Sequence, residues 1–291
     1  MWQLIDPYQN GHPKTHSMDH KRLTRLKEVL ALPSKYREET MVTHYVAQFC
    51  EKHGFDYIID NLGSVLITKG TPKEGEFFPM VGAHMDTVHH PSQKEIREKD
   101  NILTAWDEGV QVGIGGDDLA GVTICLELLL TQPILKVGLF ISEEVGCVGS
   151  RNVVNYHRDW FNDVGYMIEF DGPEDYMVTQ FCSGVELFDA QGDFINKSLP
   201  LLQESMGDKM RFFSHPYTDV SIIKQAFKFS CINISAGYFN LHTNKEYVVI
   251  SEVEKACVLG EKMIHELGYN RYEFEPKPYS YTSANNLNLR D

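Results

Sequence analysis

Phe78-Pro79-Met80-Val81-Gly82-Ala83-His84-Met85-Asp86 is a short apolar run that ends on a histidine and an acid. Three other stretches share its character. Leu135–Ser142 runs into Glu143 and Glu144, Tyr166–Phe170 runs into Asp171, and Cys231–Ser235 is followed after a short loop by His242. Each has strand length and little polar alternation, as expected of central strands covered on both faces. Helices are expected around them: Asp19 to Leu32, Glu38 to His53, Leu119 to Thr131, Thr218 to Phe227, and a last one from Ser251 to Gly268. The last opens on Ser251-Glu252-Val253-Glu254, which fits a capping box. A turn at Asp60-Asn61-Leu62-Gly63 leads to one more strand, Ser64–Thr68. Strands alternating with helices predict a layered α/β domain. Residues 1–18 read as an irregular polar arm, 19–269 as a single domain, and 270–291, with Pro276 and Pro278, as a polar tail.

The polar residues at the run ends carry the functional reading. In open α/β sheets, sites form at the carboxyl ends of strands, where loops converge. His84, Asp86, Glu143, Glu144 and Asp171 all fall there. Asp117-Asp118 follows Gly113-Ile114-Gly115-Gly116 at a helix start. Singly each is weak, since an Asp at a helix start is more often an N-cap than a ligand. Together they can meet at one rim. Two His and three carboxylates suit Zn²⁺. If Asp117 bridges, each ion gains one His and one further carboxylate. Three carboxylates and one hydroxide would then balance four positive charges. Adjacent Glu143 and Glu144 cannot point to one place, so the second is expected to ligate and the first to act as general base. Asp86, two residues past His84, is expected to accept the imidazole N–H.

Bulk properties narrow the class. The 291 residues are 42% hydrophobic and 23% charged, values of an ordinary globular protein. With 27 Lys and Arg against 41 Asp and Glu, the formal net charge is −14. That disfavours nucleic acid, whose binding draws on cationic side chains. No stretch approaches the length of an apolar membrane span. The start, Met1 to Pro7, lacks a basic segment followed by an apolar run. Cys50, Cys125, Cys147, Cys182, Cys231 and Cys257 are widely scattered and read as reduced thiols of a cytoplasmic protein. Cys147, close to Glu144, is expected to pack rather than react.

The motifs His84-Met85-Asp86, Gly116-Asp117-Asp118-Leu119-Ala120-Gly121, Glu143-Glu144, Phe170-Asp171-Gly172 and His242-Thr243-Asn244-Lys245-Glu246-Tyr247-Val248 resemble, in order, those of the zinc exopeptidases. That clan includes peptidase T, the glutamate carboxypeptidases and the bacterial aminopeptidases. The match spans about residue 20 to 268. It implies a three-layer α/β/α sandwich with a central mixed, mostly parallel sheet. It implies that His84, Asp117 and Asp171 hold one Zn²⁺ and Asp117, Glu144 and His242 the other, Mn²⁺ or Co²⁺ being possible substitutes. It further implies a cis peptide between Asp117 and Asp118. Only 71 residues separate Asp171 from His242, too few for the lid or dimerisation domain that peptidase T and the carboxypeptidases insert there. Leu119 stands where many relatives carry Lys or Ala, and is expected to face the helix interior or the substrate rim.

The expected function is a peptidase for small peptides, above all an aminopeptidase, working through a metal-bridging hydroxide with Glu143 as base. The alternative is a carboxypeptidase or N-acyl amino-acid deacylase on the same two ions, with Arg211, His215 and Tyr217 as candidates for a substrate carboxylate. An inactive metal-binding protein would be free to lose Glu143, and a single-zinc acyl transferase of the glutaminyl cyclase kind would lack His84. The sequence leaves the oligomeric state open.

Overall fold

The structure, a computed structural model, describes residues 18–89 and 94–275. The arm at 1–18 lies outside the described residues except for Met18, which is buried in the core. Residues 276–291 of the tail also lie outside them.

Asp19, whose side chain accepts from Lys21 N, caps α1 (His20–Leu30). Gly54, at φ 70°, ends α2 (Thr40–His53) in the left-handed conformation that favours glycine. A hairpin, β1 (Asp56–Ile59) and β2 (Val65–Lys69), leads into β3 (Phe78–His84). Then come β4 (Glu95–Lys99), β5 (Ile102–Asp107), β6 (Val110–Val112), α3 (Gly116–Thr131), β7 (Leu135–Phe140), α4 (Val148–Tyr156) and β8 (Val164–Gly172). The second half runs β9 (Met177–Cys182), β10 (Val185–Glu186), α5 (Asp193–Met206), β11 (Arg211–His215), α6 (Asp219–Ala226), β12 (Cys231–Ser235), β13 (Tyr238–Phe239), β14 (Tyr247–Val249) and α7 (Ile250–Leu267).

The main sheet has the order β1-β2-β7-β3-β8-β12-β9-β10, with β11 beside β9. Its four central strands, β7, β3, β8 and β12, are mutually parallel. They are the four apolar runs, and β3, β7, β8 and β12 are buried along their whole length. Antiparallel β2 and β9 flank them. Helices cover both faces, giving the three-layer sandwich. α3 is the central helix, buried at every residue from Gly116 to Leu129 between the sheet and helices α1 and α7. Beyond its first turn the one deep acid of α3 is Glu127, which is met by Arg22 and Arg25 of α1.

The elements between Asp171 and His242 join the main sheet, pack on it or, as α5 does, pack on α7, apart from the short β13, so no inserted lid domain occupies that interval. A second, smaller sheet, β13-β14-β5-β4 with β6 beside β5, was not anticipated. It unites two distant parts of the chain through β5 and β14. The last helix also differs from expectation. Ser251 lies inside its first turn and makes no capping box; instead the Asn101 side chain accepts from Ser251 N at 3.1 Å. Beyond α7 the chain stays on the body as far as the described residues go. Ser230 N donates to Tyr272 O, and Tyr272 stacks edge-on against Tyr166.

Candidate metal centre

Because β3, β7, β8 and β12 run parallel, their carboxyl ends share one rim, and the expected residues gather there. His84 ends β3, and Asp171 lies near the end of β8. Asp117 opens α3, which crosses close to β8: a Cβ on Gly121 would come within 2.2 Å of Phe170 O, so only glycine permits this approach. The peptide between Asp117 and Asp118 is cis. Asp118, fully buried, accepts from His84 N at 3.2 Å and from Gly121 N at 3.1 Å, tying α3 to β3. Leu119 is fully buried on the helix interior.

Asp117 stands between the two histidines. Its Oδ1 lies 3.1 Å from His84 Nε2 and its Oδ2 3.0 Å from His242 Nε2. Asp171 Oδ1 approaches His84 Nε2 at 3.4 Å, and Glu144 Oε1 approaches His242 Nε2 at 2.9 Å. Two trios result, His84–Asp117–Asp171 and Asp117–Glu144–His242, each with its ligand-type atoms within 4.8 Å of one another. Such a set of imidazole nitrogens and carboxylate oxygens fits a pair of divalent cations, and facing carboxylates of one sign call for positive charge between them.

The electrostatics agree. His242 is pushed up to about 10 by its hydrogen bonds to Asp117 and Glu144. Burial opposes charge on His84, yet Asp171 and Asp117 hold it well above the usual imidazole range. Burial also raises the Glu144 carboxyl. Glu143 is 5% exposed, and burial pushes it up to about 11; His84 pulls it the other way, while Asp171, Asp219 and Asp117 add to the rise. The Cys147 thiol, buried and pushed upward by that burial, points at Glu143 Oε1 from 3.6 Å, which makes it a packing and positioning group rather than a thiolate. All six cysteines are free and buried.

Asp86 faces the His84 imidazole, as expected, and has a further task. The atom nearest His84 Nδ1 is the Asp86 main-chain oxygen at 2.9 Å, with the carboxylate at 3.4 Å. The carboxylate is taken by the next turn: Oδ1 accepts from Glu143 N at 2.8 Å and Oδ2 from Glu144 N at 3.1 Å. The expected strand to Ser142 stops at Phe140 for a related reason. Ser142, at φ 52°, turns out of the sheet, and Glu39 Oε1 accepts both its N–H at 3.0 Å and its hydroxyl at 2.9 Å.

His242 is carried by the hairpin between β13 and β14 of the small sheet, not by a loop hanging from β12. Arg211 donates to the carbonyls of Asp208 and Met210 and is not gathered to the site, and His215 Nδ1 pairs with Tyr217 O. Tyr217 does reach it, its hydroxyl 3.4 Å from Glu144 O.

Sequence reasoning passed over four buried groups behind the ligands. Glu246, fully buried, accepts from Gly115 N at 2.8 Å and from Asp117 N at 3.0 Å, and meets His89 Nε2 at 2.9 Å. Asn233 Oδ1 accepts from Asp171 N at 2.9 Å. Glu169 accepts from Thr218 Oγ1 at 2.8 Å and Val220 N at 2.9 Å. Asp219 accepts from Ser150 Oγ at 2.5 Å and is pushed up to about 7, chiefly by burial. Glu169 and Asn233 had a visible signal, being lone polar residues inside apolar strands. Asp219 looked like an ordinary helix-start acid, and Glu246 like one residue of a quoted motif.

No family model matches the sequence, and no curated protein matches it by sequence similarity. Solved structures do match. Aminopeptidase PepT from Bacillus cereus aligns with TM-score 0.73 over 85% of this chain and 98% of that one, at 12% identity. An aminopeptidase from the archaeon Desulfurococcus kamchatkensis gives 0.64 over 86% and 95%, at 15% identity. A tripeptidase from Staphylococcus aureus gives 0.63 over 84% and 96%, at 12% identity. The chain shares the fold of these three structures. In that fold the two trios sit at the carboxyl rim of the parallel strands, where the motif resemblance leads one to look.

Proposed function

We propose that this chain is a metal-dependent peptidase of small peptides, acting as an aminopeptidase, with residues 19–269 as one catalytic unit. The observation that carries the reading is the placement of Asp117, one oxygen toward each histidine at 3.1 and 3.0 Å, with Asp171 and Glu144 completing the two trios. The names of the structural neighbours, aminopeptidases and a tripeptidase, support it.

His84, Asp117 and Asp171 would hold one Zn²⁺, and Asp117, Glu144 and His242 the other, with Mn²⁺ or Co²⁺ able to use the same donors. When bound, such ions supply Lewis acidity to a carbonyl and to water. The chain's own residues do the rest. Glu143, held by Cys147 and by the Asp86 contact to its N–H, takes a proton from water as the peptide carbonyl is attacked and returns it to the leaving amine. Its buried site raises its proton affinity, which suits the second half of that exchange. Asp86 keeps Glu143 and Glu144 in one turn, so that base and ligand face different partners. The acidic rim favours a free α-amino group. Val145, Tyr217 and Leu241, partly exposed apolar side chains in or beside the ligand loops, offer contact to the peptide.

The test is hydrolysis by the zinc-loaded protein of one short peptide series, offered free and N-acetylated, with Glu143→Ala as control. Cleavage of the free peptides alone, reduced about 10²–10⁴-fold in the variant, is the expected result. Equal cleavage of the acetylated forms would transfer the reading to a carboxypeptidase or deacylase.

A further inference from the structure

A cavity of about 380 Å³ opens at the carboxyl end of β7, one residue short of Glu143. Its volume falls in the range of small-ligand sites, which run from roughly 300 to 1,000 Å³. Since β2 runs antiparallel to β7, the turn that enters β2 lies on the same rim, and Leu62 and Gly63 of that turn form one wall. Ile141 and Ser142 form another, and Val148 of α4 a third. Leu62 and Val148 leave 45% and 37% of their surface to solvent, so apolar area faces the opening. Within the lining, Arg37 is the one cation.

Arg37 is solvent-exposed, and two features bear on its use as a ligand contact. Among the described residues its guanidinium has no carboxylate or carbonyl partner. Its backbone is also fixed: φ is 68°, a conformation uncommon for a residue with a side chain, and its N–H donates to Glu39 Oε1 at 2.9 Å. That same oxygen accepts the Ser142 N–H and hydroxyl. Glu39, 4% exposed, therefore spends this oxygen on the wall, and it sets Arg37 and the Glu143–Glu144 turn in one register. A pocket with an apolar wall, one unpaired cation and a shared anchor to the catalytic turn is suited to an amphiphilic anion.

We infer that this cavity is a substrate subsite, taking a residue with an aliphatic stem whose carboxylate meets Arg37; the inference rests on the peptidase reading of the neighbouring centre. The carboxylate has two sources in a short peptide, a glutamyl side chain or the free C-terminus, and the chemistry at Arg37 is the same.

The experiment uses four short peptides, with Glu or Gln at one position and a free or amidated C-terminus, on the full chain and on Arg37→Gln and Arg37→Lys. The carboxylate forms are expected to show kcat/KM about fivefold above their neutral isosteres, the order for a charge-assisted contact in a partly open site. That preference is lost in Arg37→Gln and partly kept in Arg37→Lys. A difference confined to Glu against Gln assigns the side chain, and one confined to acid against amide assigns the C-terminus. No difference, or one that survives Arg37→Gln, overturns the subsite. Equilibrium binding of the same peptides by calorimetry keeps the two ideas apart. If nothing is hydrolysed, the peptidase reading fails, while the subsite still stands or falls on whether binding depends on the carboxylate and on Arg37.

Discussion

His84, Asp117 and Asp171 are 2%, 7% and 4% exposed, whereas His242, in the second trio, leaves 44% of its side chain in solvent. The first trio belongs to the sandwich: strands β3 and β8 and the start of α3 fix it, and Asp118, Asn233 and Tyr238 brace it from behind. The second borrows its histidine from a hairpin of the small sheet. Burial is what makes a ligand set rigid before the ion arrives, and exposure is what lets an ion and a substrate come and go. In the proposed centre, then, one half is built to hold an ion and the other to admit one.

That contrast can be broken most severely at the residue both halves share. Asp117→Ala should abolish peptide cleavage and reduce zinc, measured by elemental analysis, from about two ions per chain to well under one. Retention of both ions would mean the halves are independent. The two histidines should then differ. His242→Ala should lose about one ion and, compared in ion-free protein, leave the melting temperature nearly unchanged. His84→Ala should lose its ion and also about 1–3 kcal/mol of stability, because buried carboxylates are left without a partner. Equal effects on stability would erase the distinction. Glu246→Gln, which keeps a single acceptor where two are used, should weaken zinc binding about 10–100-fold, the usual cost of disturbing the groups that orient a ligand. Unchanged affinity would show that Asp117 needs no such support.

The smallest effect sharpens the outer half. His242, held up to about 10 by two carboxylates, carries a proton at neutral pH in chelator-treated protein, and that proton must leave before the imidazole can ligate. Zinc affinity should therefore rise with pH, about tenfold per unit for each proton displaced, and level off toward that value. Calorimetry in two buffers of different ionisation enthalpy reads the proton release directly, and its absence would show that His242 is already neutral.

Much of the inner half was legible because it is written locally. A buried parallel strand is a short apolar run, and a polar residue at its end is conspicuous. His84 and Asp171 could be placed in this way, as could the Glu143–Glu144 pair that serves the outer half, and the helix after Asp117 followed from its largely apolar run. The small sheet was not legible. Strand β4, Glu95–Lys99, is largely exposed and reads as solvated charge, while β5 finds its partner β14 far along the chain. Such pairing is decided by tertiary contact, which local propensity does not encode. α5 was missed for another reason: Pro200 lies within it, and proline argues against a helix interior wherever it is read in isolation. The second task of Asp86, accepting from Glu143 N and Glu144 N, was not legible because spacing shows that a carboxylate is near, not which further N–H groups it will reach.

The position of His242 on the β13–β14 hairpin has a mechanical consequence. A cation gripped from the sandwich side by Asp117 and Glu144 and from the hairpin side by His242 would clasp two sheets whose strands come from far-apart segments of the chain. Its binding energy would then count toward cohesion of the whole molecule, rising with the logarithm of free ion concentration. The hairpin, easiest to pry open when the clasp is undone, would be the place where a protease first finds purchase.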